Sequence, residues 1–497
     1  MKTIQEINEK IRKGKAVIVS AEEMPDIVEK EGAKKAAEKV DIVTTGTFGA
    51  MCSSGVFLNF GHADPLIKMQ KVWLNEVEAY TGIAAVDAYV GATELSLDRG
   101  FEYGGAHVIE DLLAGRNVNL RAIAYSTDCY PRKSIETSIT LDDINQAILF
   151  NPRNCYQKYN AAANSSDRVL HTYMGTLLPG KRNVNFSGTG ELSPLNNDPE
   201  YDIIGFGTRI FLGGAKGYVV GEGTQHNPKK GFATISVKGN LKEMNTKYVK
   251  GGTVAEYGTT LYIGIGAAIP VLNEKIARNT AVRNRDVKVN IFDYSVPRLS
   301  RPVLREVDYE TLFSGEVDLG GVKAKASSLS SLKIAREIVK ELEDWINHKE
   351  FYLTEKLEGL PKEAEFKPMR ISEKLVSVSR VMTREVLTVQ ENENIEKVCN
   401  LMIKRGVDQI PIVNKDKKLR GIVTAWDITK ATASGSKKLS DIMTRKVITA
   451  SPDEAVDSVS RKLEKYKINA TPVVDNEGVV VGIVTLSDIN KFYRRGR

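Results

Sequence analysis

Nowhere in the 497 residues do 18 or more uncharged apolar residues run together, so no stretch is long enough for a membrane helix. The opening Met1-Lys2-Thr3-Ile4-Gln5-Glu6 lacks the apolar run of a secretory signal, and a cytoplasmic location is the expectation. Cysteine is scarce. Cys52, Cys129, Cys155 and Cys399 are too few and too scattered for a disulfide framework, and they lack the close pairs of a zinc or iron–sulfur site. The five histidines show no metal-ligand spacing, so no metal is expected. Gly46-x-x-Gly49 and Gly205-x-Gly207 fall short of Gly-x-Gly-x-x-Gly, which leaves no dinucleotide fingerprint and no tightly bound cofactor to expect. What remains, 42% hydrophobic and 27% charged, is the composition of a chain that folds, and its length suits more than one domain.

The net charge of +7 is unevenly placed. Residues 380–497 hold 22 Lys and Arg against 15 Asp and Glu, while the preceding residues carry 48 of each. A basic C-terminal part suits a phosphorylated ligand or a solvated Lys-rich surface, and nothing in it specifies nucleic acid.

That same part is a repeat. Met382-Thr383-Arg384 returns as Met443-Thr444-Arg445, Ile410-Pro411-Ile412-Val413 as Thr471-Pro472-Val473-Val474, and Gly421-Ile422-Val423-Thr424 as Gly482-Ile483-Val484-Thr485, all at an offset of 61 residues. Within each copy a helical pattern (Ile395, Val398, Cys399, Met402) precedes two β-branched runs, which makes a βαββα-like unit. Cys399 falls on the apolar face and reads as core. The repeat resembles a tandem pair of CBS motifs. The resemblance implies an adenosyl ligand such as S-adenosylmethionine, with Asp427 and Asp488 on ribose hydroxyls, Thr424 and Thr485 near ribose or phosphate, and Ile410 and Thr471 near the base.

Before the repeat, Thr3-x-x-Glu6 is a capping box, Ala16–Val19 and Ile42-Val43 read as strands, and Leu332 to Ile346 reads as an amphipathic helix ending near His348. The fold class expected is an α/β or α+β body whose residues 203–265 add a glycine-rich β portion. Residues 1–352 would form this body, 353–375 a charged linker with Pro361 and Pro368, 376–434 the first CBS repeat and 435–497 the second. Cys52 follows Thr45-Gly46-Thr47-Phe48-Gly49-Ala50-Met51, read as a small-residue loop whose free N–H groups would favour a thiolate. Cys129 lies in Asp128-Cys129-Tyr130-Pro131-Arg132-Lys133, beside two cations. Asn151-Pro152-Arg153-Asn154 and Gly223 to Pro228 read as loops able to line a site or simply to turn.

With Gly207-Thr208-Arg209-Ile210-Phe211-Leu212-Gly213-Gly214, these segments resemble the archaeal homocysteine-biosynthesis family, described as L-aspartate semialdehyde sulfurtransferases of methanogens and some anaerobic bacteria. The resemblance implies that Cys52 and Cys129 are functional and leaves Cys155 structural. Aspartate semialdehyde and sulfide would be the substrates. Converting an aldehyde and sulfide to a thiol and water requires two electrons and two protons, so a ferredoxin-like iron–sulfur electron donor is the implied partner. On this reading Cys129 carries a persulfide that attacks the aldehyde, Cys52 is the second thiol, and Arg132 pairs with the substrate carboxylate. His62, His107 and His226 are candidate proton donors. A homodimer is expected from the CBS pair. Two other readings stand beside this one. The first is an IMP dehydrogenase, suggested by Gly49 to Ser54 but opposed by the terminal position of the repeat; the second is a non-catalytic adenosyl sensor docking a partner.

Overall fold

A computed structural model describes residues 2–155, 157–297, 300–369, 376–435 and 438–495, which fall into two compact units, Met1–Lys367 and Pro368–Arg497. The first helix, Ile4–Arg12, starts where the capping box predicts. Thr3 Oγ1 accepts from the Glu6 amide, the Glu6 carboxylate accepts from the Thr3 amide at 2.7 Å, and Ile7 and Ile11 are buried.

Most of the first unit is β-sheet. Among the described residues, a nine-stranded sheet takes five strands from residues 209–266, where branched residues and glycines alternate. Its strand Gln146–Asn154 lies between Ile235–Asn240 and Gly55–Asn59, and Thr47–Ala50 pairs with Gly258–Gly266. A six-stranded antiparallel sheet centred on Met69–Leu74 and Val118–Ala124 shares one core with it. Val72, Leu74, Leu120, Leu58, Leu149, Val237 and Leu261 are buried together with Ile109 of the helix Gly105–Leu113. In Val118–Ala124 the buried residues Val118, Leu120 and Ala122 alternate with Asn119, Arg121 and Ile123, the period of two that a half-buried strand requires. A second, mixed six-stranded sheet, including Ala161–Ala163, Asn183–Phe186 and Lys288–Asp293, has its own core.

The amphipathic segment forms the helix Leu332–Asn347. Ser331 caps it by accepting from the Ile334 amide, and Ala335, Ile338, Val339, Leu342 and Ile346 face inward at helical spacing. Each larger side chain buried there stabilises the docking by about 2 kcal/mol.

Three expectations are corrected. Thr47–Ala50 is a strand, because its small residues suit close pairing with Gly258–Gly266; only Cys52 and Ser53 sit in the turn. Residues 151–154 are the end of a strand, with a register shift between Asn151 and Asn154 that accommodates Pro152. The stretch 353–361, expected to begin the linker, lies on the body. Leu353 and Leu360 are buried, Glu358–Gly359 pairs with Gly205–Phe206, and Lys356 Nζ donates to the carbonyls of Tyr201 and Asp202. Residues 370–375 of the expected linker lie outside the described residues, as do 436–437 and 496–497 of the second repeat.

In the second unit the two copies share their details. Helix Ile395–Arg405 precedes the hairpin Gln409–Val413 with Leu419–Thr424; helix Val456–Tyr466 precedes Ala470–Val474 with Val480–Thr485. Both hairpins slip register at equivalent places, Ile412/Val413 and Val473/Val474. The copies also exchange their leading residues, Thr383 bridging to Ile483 and Thr444 to Ile422. That exchange explains the repeated glycine. A Cβ on Gly421 would meet the Met443 sulfur at 3.0 Å, and one on Gly482 would run into that of Met382.

Candidate active site

The turn after Thr47–Ala50 puts Cys52 at the wall of a cavity of about 810 Å³ within the first unit. The neighbouring strand end holds that turn. Ser53 Oγ donates to the Arg153 carbonyl at 3.2 Å, and Asn151 Nδ2 donates to Ser54 Oγ at 2.7 Å. The backbone N–H groups of Cys52 and Ser53 find no partner among the described residues. Thr260 Oγ1, from the paired strand, donates to Cys52 Sγ at 3.3 Å. Burial raises the pKa of Tyr257 and of Tyr262, and the charge of Cys52 pushes both the same way, so both phenols stay neutral near it.

The cavity is cationic. Arg153, Lys158, Lys230, Lys288 and Arg301 line it, against one carboxylate, Glu306. Lys288 is neutralised by Asp308 at 2.6 Å. Tyr173 and Tyr294 share a hydroxyl contact of 2.6 Å, and the Arg301 guanidinium lies over the Tyr294 ring at 3.7 Å. Arg153 Nε, Arg301 Nε and Asn227 Oδ1 are buried atoms with no hydrogen-bond partner among the described residues. Buried donors and acceptors are almost always satisfied, so three orphans around one cavity mark a place shaped for a polar ligand.

Cys129 does not line this cavity. It is exposed, in the turn between the bridged residues Thr127 and Tyr130, with Thr127 Oγ1 at 3.5 Å from its sulfur. Arg132 does not line the cavity either; its guanidinium donates to the carbonyls of Asp64 and Pro65 on the neighbouring loop. His62 stacks on Tyr130 of the Cys129 turn, ring centroids 6.0 Å apart. His107 stacks on Tyr103, and its burial pushes its pKa down. His226 Nε2 donates to the Pro361 carbonyl at 3.0 Å while its Nδ1 accepts from the Thr234 amide at 3.1 Å; both nitrogens tie elements together. None of these three histidines lines the cavity. Cys155 is buried, which raises its thiol pKa strongly, and Cys399 packs on its helix core.

In the second unit Thr424 and Asp427 form a capping box at the start of Ala425–Ser434. The Thr424 amide and hydroxyl donate to one carboxylate oxygen of Asp427, at 3.0 and 2.7 Å, and Thr485 with Asp488 repeats this at the same distances. The other oxygen of each aspartate is left without a partner among the described residues. Ile410 and Thr471 are fully buried, and Thr471 Oγ1 donates to the Ile448 carbonyl.

The sequence did not single out Thr260, Lys158, Tyr173, Tyr257, Tyr294 or Arg301. They come from distant strands and carry no local motif; a tyrosine-rich, cation-rich composition around 153–173 and 257–301 is the only trace.

Residues 16–353 match the family model "Homocysteine biosynthesis enzyme, sulfur-incorporation", and residues 378–434 and 439–495 each match that of the CBS domain. L-aspartate semialdehyde sulfurtransferase of Methanosarcina acetivorans is 50% identical over 99% of each chain. That of Methanocaldococcus jannaschii is 53% identical, also over 99% of each. A CBS domain pair solved in complex with 5-methylthioadenosine and S-adenosyl-L-methionine is 41% identical, covering 25% of this chain and 99% of that one, with a TM-score of 0.24. The chain therefore belongs to the homocysteine biosynthesis, sulfur-incorporation family of enzymes and carries a CBS pair after the family domain.

Proposed function

We propose that this chain is an L-aspartate semialdehyde sulfurtransferase, reductively adding sulfur to the aldehyde to make L-homocysteine, with the CBS pair answering to an adenosyl ligand. The observation that carries the reading is Cys52 on the wall of a cationic cavity with unpartnered polar atoms, which suits a small anionic substrate brought against a cysteine sulfur. Residues 1–352 would perform the chemistry.

The sulfur is carried as a cysteine persulfide. Cys129, exposed on its turn, is accessible to a sulfane-sulfur donor such as a polysulfide, whose sulfur arrives already at the persulfide level, and its outer sulfur passes to Cys52 by persulfide exchange, leaving Cys129 as a thiol. The Cys52 persulfide adds to the aldehyde carbon, forming the C–S bond. This reverses the order expected from sequence, because it is Cys52 that borders the cavity. Two electrons and two protons cleave the S–S bond and return the Cys52 thiol; loss of water gives a thioaldehyde, and two more electrons and protons reduce it to the thiol. Four electrons and four protons balance aldehyde plus persulfide to thiol, water and the Cys52 thiol. A low-potential iron–sulfur protein is the donor class that suits them.

The test is homocysteine formation from aspartate semialdehyde, polysulfide as the sulfane-sulfur donor and a low-potential reductant under strict anaerobiosis, with peptide masses of the enzyme after polysulfide treatment and before the reductant is added. An extra sulfur on the Cys129 or Cys52 peptide, removable by reductant, and loss of turnover in Cys52→Ser and Cys129→Ser with unchanged circular dichroism are expected. Full turnover in Cys52→Ser would overturn the reading. For the CBS pair, each free aspartate oxygen beside a helix N-terminus offers a ribose hydroxyl an acceptor. Calorimetry of the full chain with S-adenosylmethionine should show binding that weakens in Asp427→Ala and Asp488→Ala; no binding by the unsubstituted chain would refute it.

A further inference from the structure

The orphaned atoms of the cavity differ in kind. Arg153 Nε is a buried donor on a fixed positive charge, with no ion-pair partner among the described residues. Asn227 Oδ1 is a buried acceptor on a side chain more than nine-tenths buried. Both residues line the same cavity as Cys52. Leaving such groups unmade costs about 1–3 kcal/mol apiece, more for a charged one, unless a ligand satisfies them.

Their positions are fixed by the fold. Arg153 stands in the register shift at the end of Gln146–Asn154, where a bulge re-aims the side chain away from the ladder. The shift is secured from both sides: the Arg153 amide donates to Asn151 Oδ1 at 2.8 Å, and the Arg153 carbonyl accepts from Ser53, next to Cys52. Asn227 is locked by paired backbone hydrogen bonds with Phe232, its amide donating at 2.9 Å and its carbonyl accepting at 3.0 Å. Neither side chain is needed for its own backbone.

We propose that Arg153 and Asn227 are the specificity residues for the amino-acid end of the substrate, Arg153 holding the α-carboxylate and Asn227 Oδ1 accepting from the α-ammonium. The proposal rests on the sulfurtransferase reading and deepens it. An α-amino acid is the ligand class that offers an anion and a cationic donor on one carbon, and so satisfies an orphan guanidinium and an orphan amide oxygen together. Its four-carbon semialdehyde keeps the carboxylate within about 5 Å of the aldehyde carbon, the reach of a short extended chain, so the anchor has to lie beside the reacting cysteine. Among the lining arginines it is Arg153 whose backbone is bonded to the Cys52 turn. Arg132, tied to two carbonyls, does not serve.

Two substrates separate the two contacts. Succinic semialdehyde keeps the carboxylate and lacks the ammonium. Arg153→Met should raise KM for aspartate semialdehyde and for succinic semialdehyde alike, by about 10- to 100-fold, the loss of one charge-assisted contact. Asn227→Ala should raise KM for aspartate semialdehyde by about 10-fold and leave that for succinic semialdehyde unchanged. Arg153→Lys should recover part of the loss. The overturning results are an unchanged KM in Arg153→Met, or an equal effect of Asn227→Ala on both substrates. Calorimetry with homoserine, an amino acid without the aldehyde, needs no turnover. Binding by the unsubstituted chain that is lost in Arg153→Met supports the anchor even if no homocysteine forms and the sulfurtransferase reading falls; equal binding by both proteins, or none by either, overturns it. Unchanged circular dichroism and melting temperature exclude misfolding, and Arg153→Gln is the second variant should Arg153→Met fail to fold.

Discussion

Filling the cavity should protect one cysteine and leave another untouched. Cys52 borders the cavity, Cys129 is exposed outside it, and Cys155 is 3% exposed inside the core. Homoserine held at ten times its dissociation constant leaves about one-eleventh of the sites empty, so alkylation of Cys52 should slow about 11-fold. The rate at Cys129 should not change. Cys155 reacts only through opening of the core, and because burial also pushes its thiol pKa up, its labelling should trail the others by about 1,000-fold or more. Iodoacetamide pulses followed by peptide mass spectrometry read all three sites in one sample. Protection of Cys129 alone would refute the site. Labelling of Cys155 at the rate of Cys52 would refute the packing that isolates it.

Two further outcomes follow from buried charge. Burial works to raise the Asp308 carboxyl, but the Lys288 ammonium at 2.6 Å and the Thr311 amide and hydroxyl outweigh it and hold the pKa down at about 2. A depressed folded value means stability present above the unfolded pKa near 3.9 and lost as pH falls from about 4 to 2, about 2 kcal/mol in all; Asp308→Asn should remove that slope from urea unfolding curves, and an unchanged slope would count against the pair. Asp41 is fully buried, where desolvation favours the neutral acid, yet Lys10 at 2.6 Å, Lys2 at 2.8 Å and the Val17 amide keep its pKa low. Asp41→Ala removes a buried carboxylate shared by the partly exposed Lys2 and Lys10 and leaves the Val17 amide unpaired, which should cost about 1–3 kcal/mol, read as a lower denaturant midpoint; an unchanged midpoint would count against the network.

The legible parts of the sequence were those with local causes. A capping box needs two residues three apart, so Thr3 and Glu6 announce Ile4–Arg12, and Thr424-x-x-Asp427 and Thr485-x-x-Asp488 announce the helices after them. A 61-residue offset makes two alike units out of residues 378–495, because equal sequences take equal local structure. Helical periodicity likewise delimits Leu332–Asn347. Local reading failed where pairing decided. Thr47–Ala50 and Asn151–Asn154 look like loops in isolation, yet strands distant in sequence supply their ladders, and residues 353–361 became part of the body only because Gly205–Phe206 offered an edge.

The sequence by itself determined the family, the fold class, the CBS repeat and the two cysteines worth attention, since each is written in contiguous motifs. Only the folded arrangement shows that Cys52, and not Cys129, borders a cavity. Cys52, Arg153, Asn227 and Arg301 are separated by up to 249 residues and become one cavity only when their strands assemble, while Arg132, three residues after Cys129 in sequence, donates to carbonyls 67 and 68 residues away. Charge and reactivity depend on neighbours in space, and a chain that pairs distant strands sets those neighbours only when it folds.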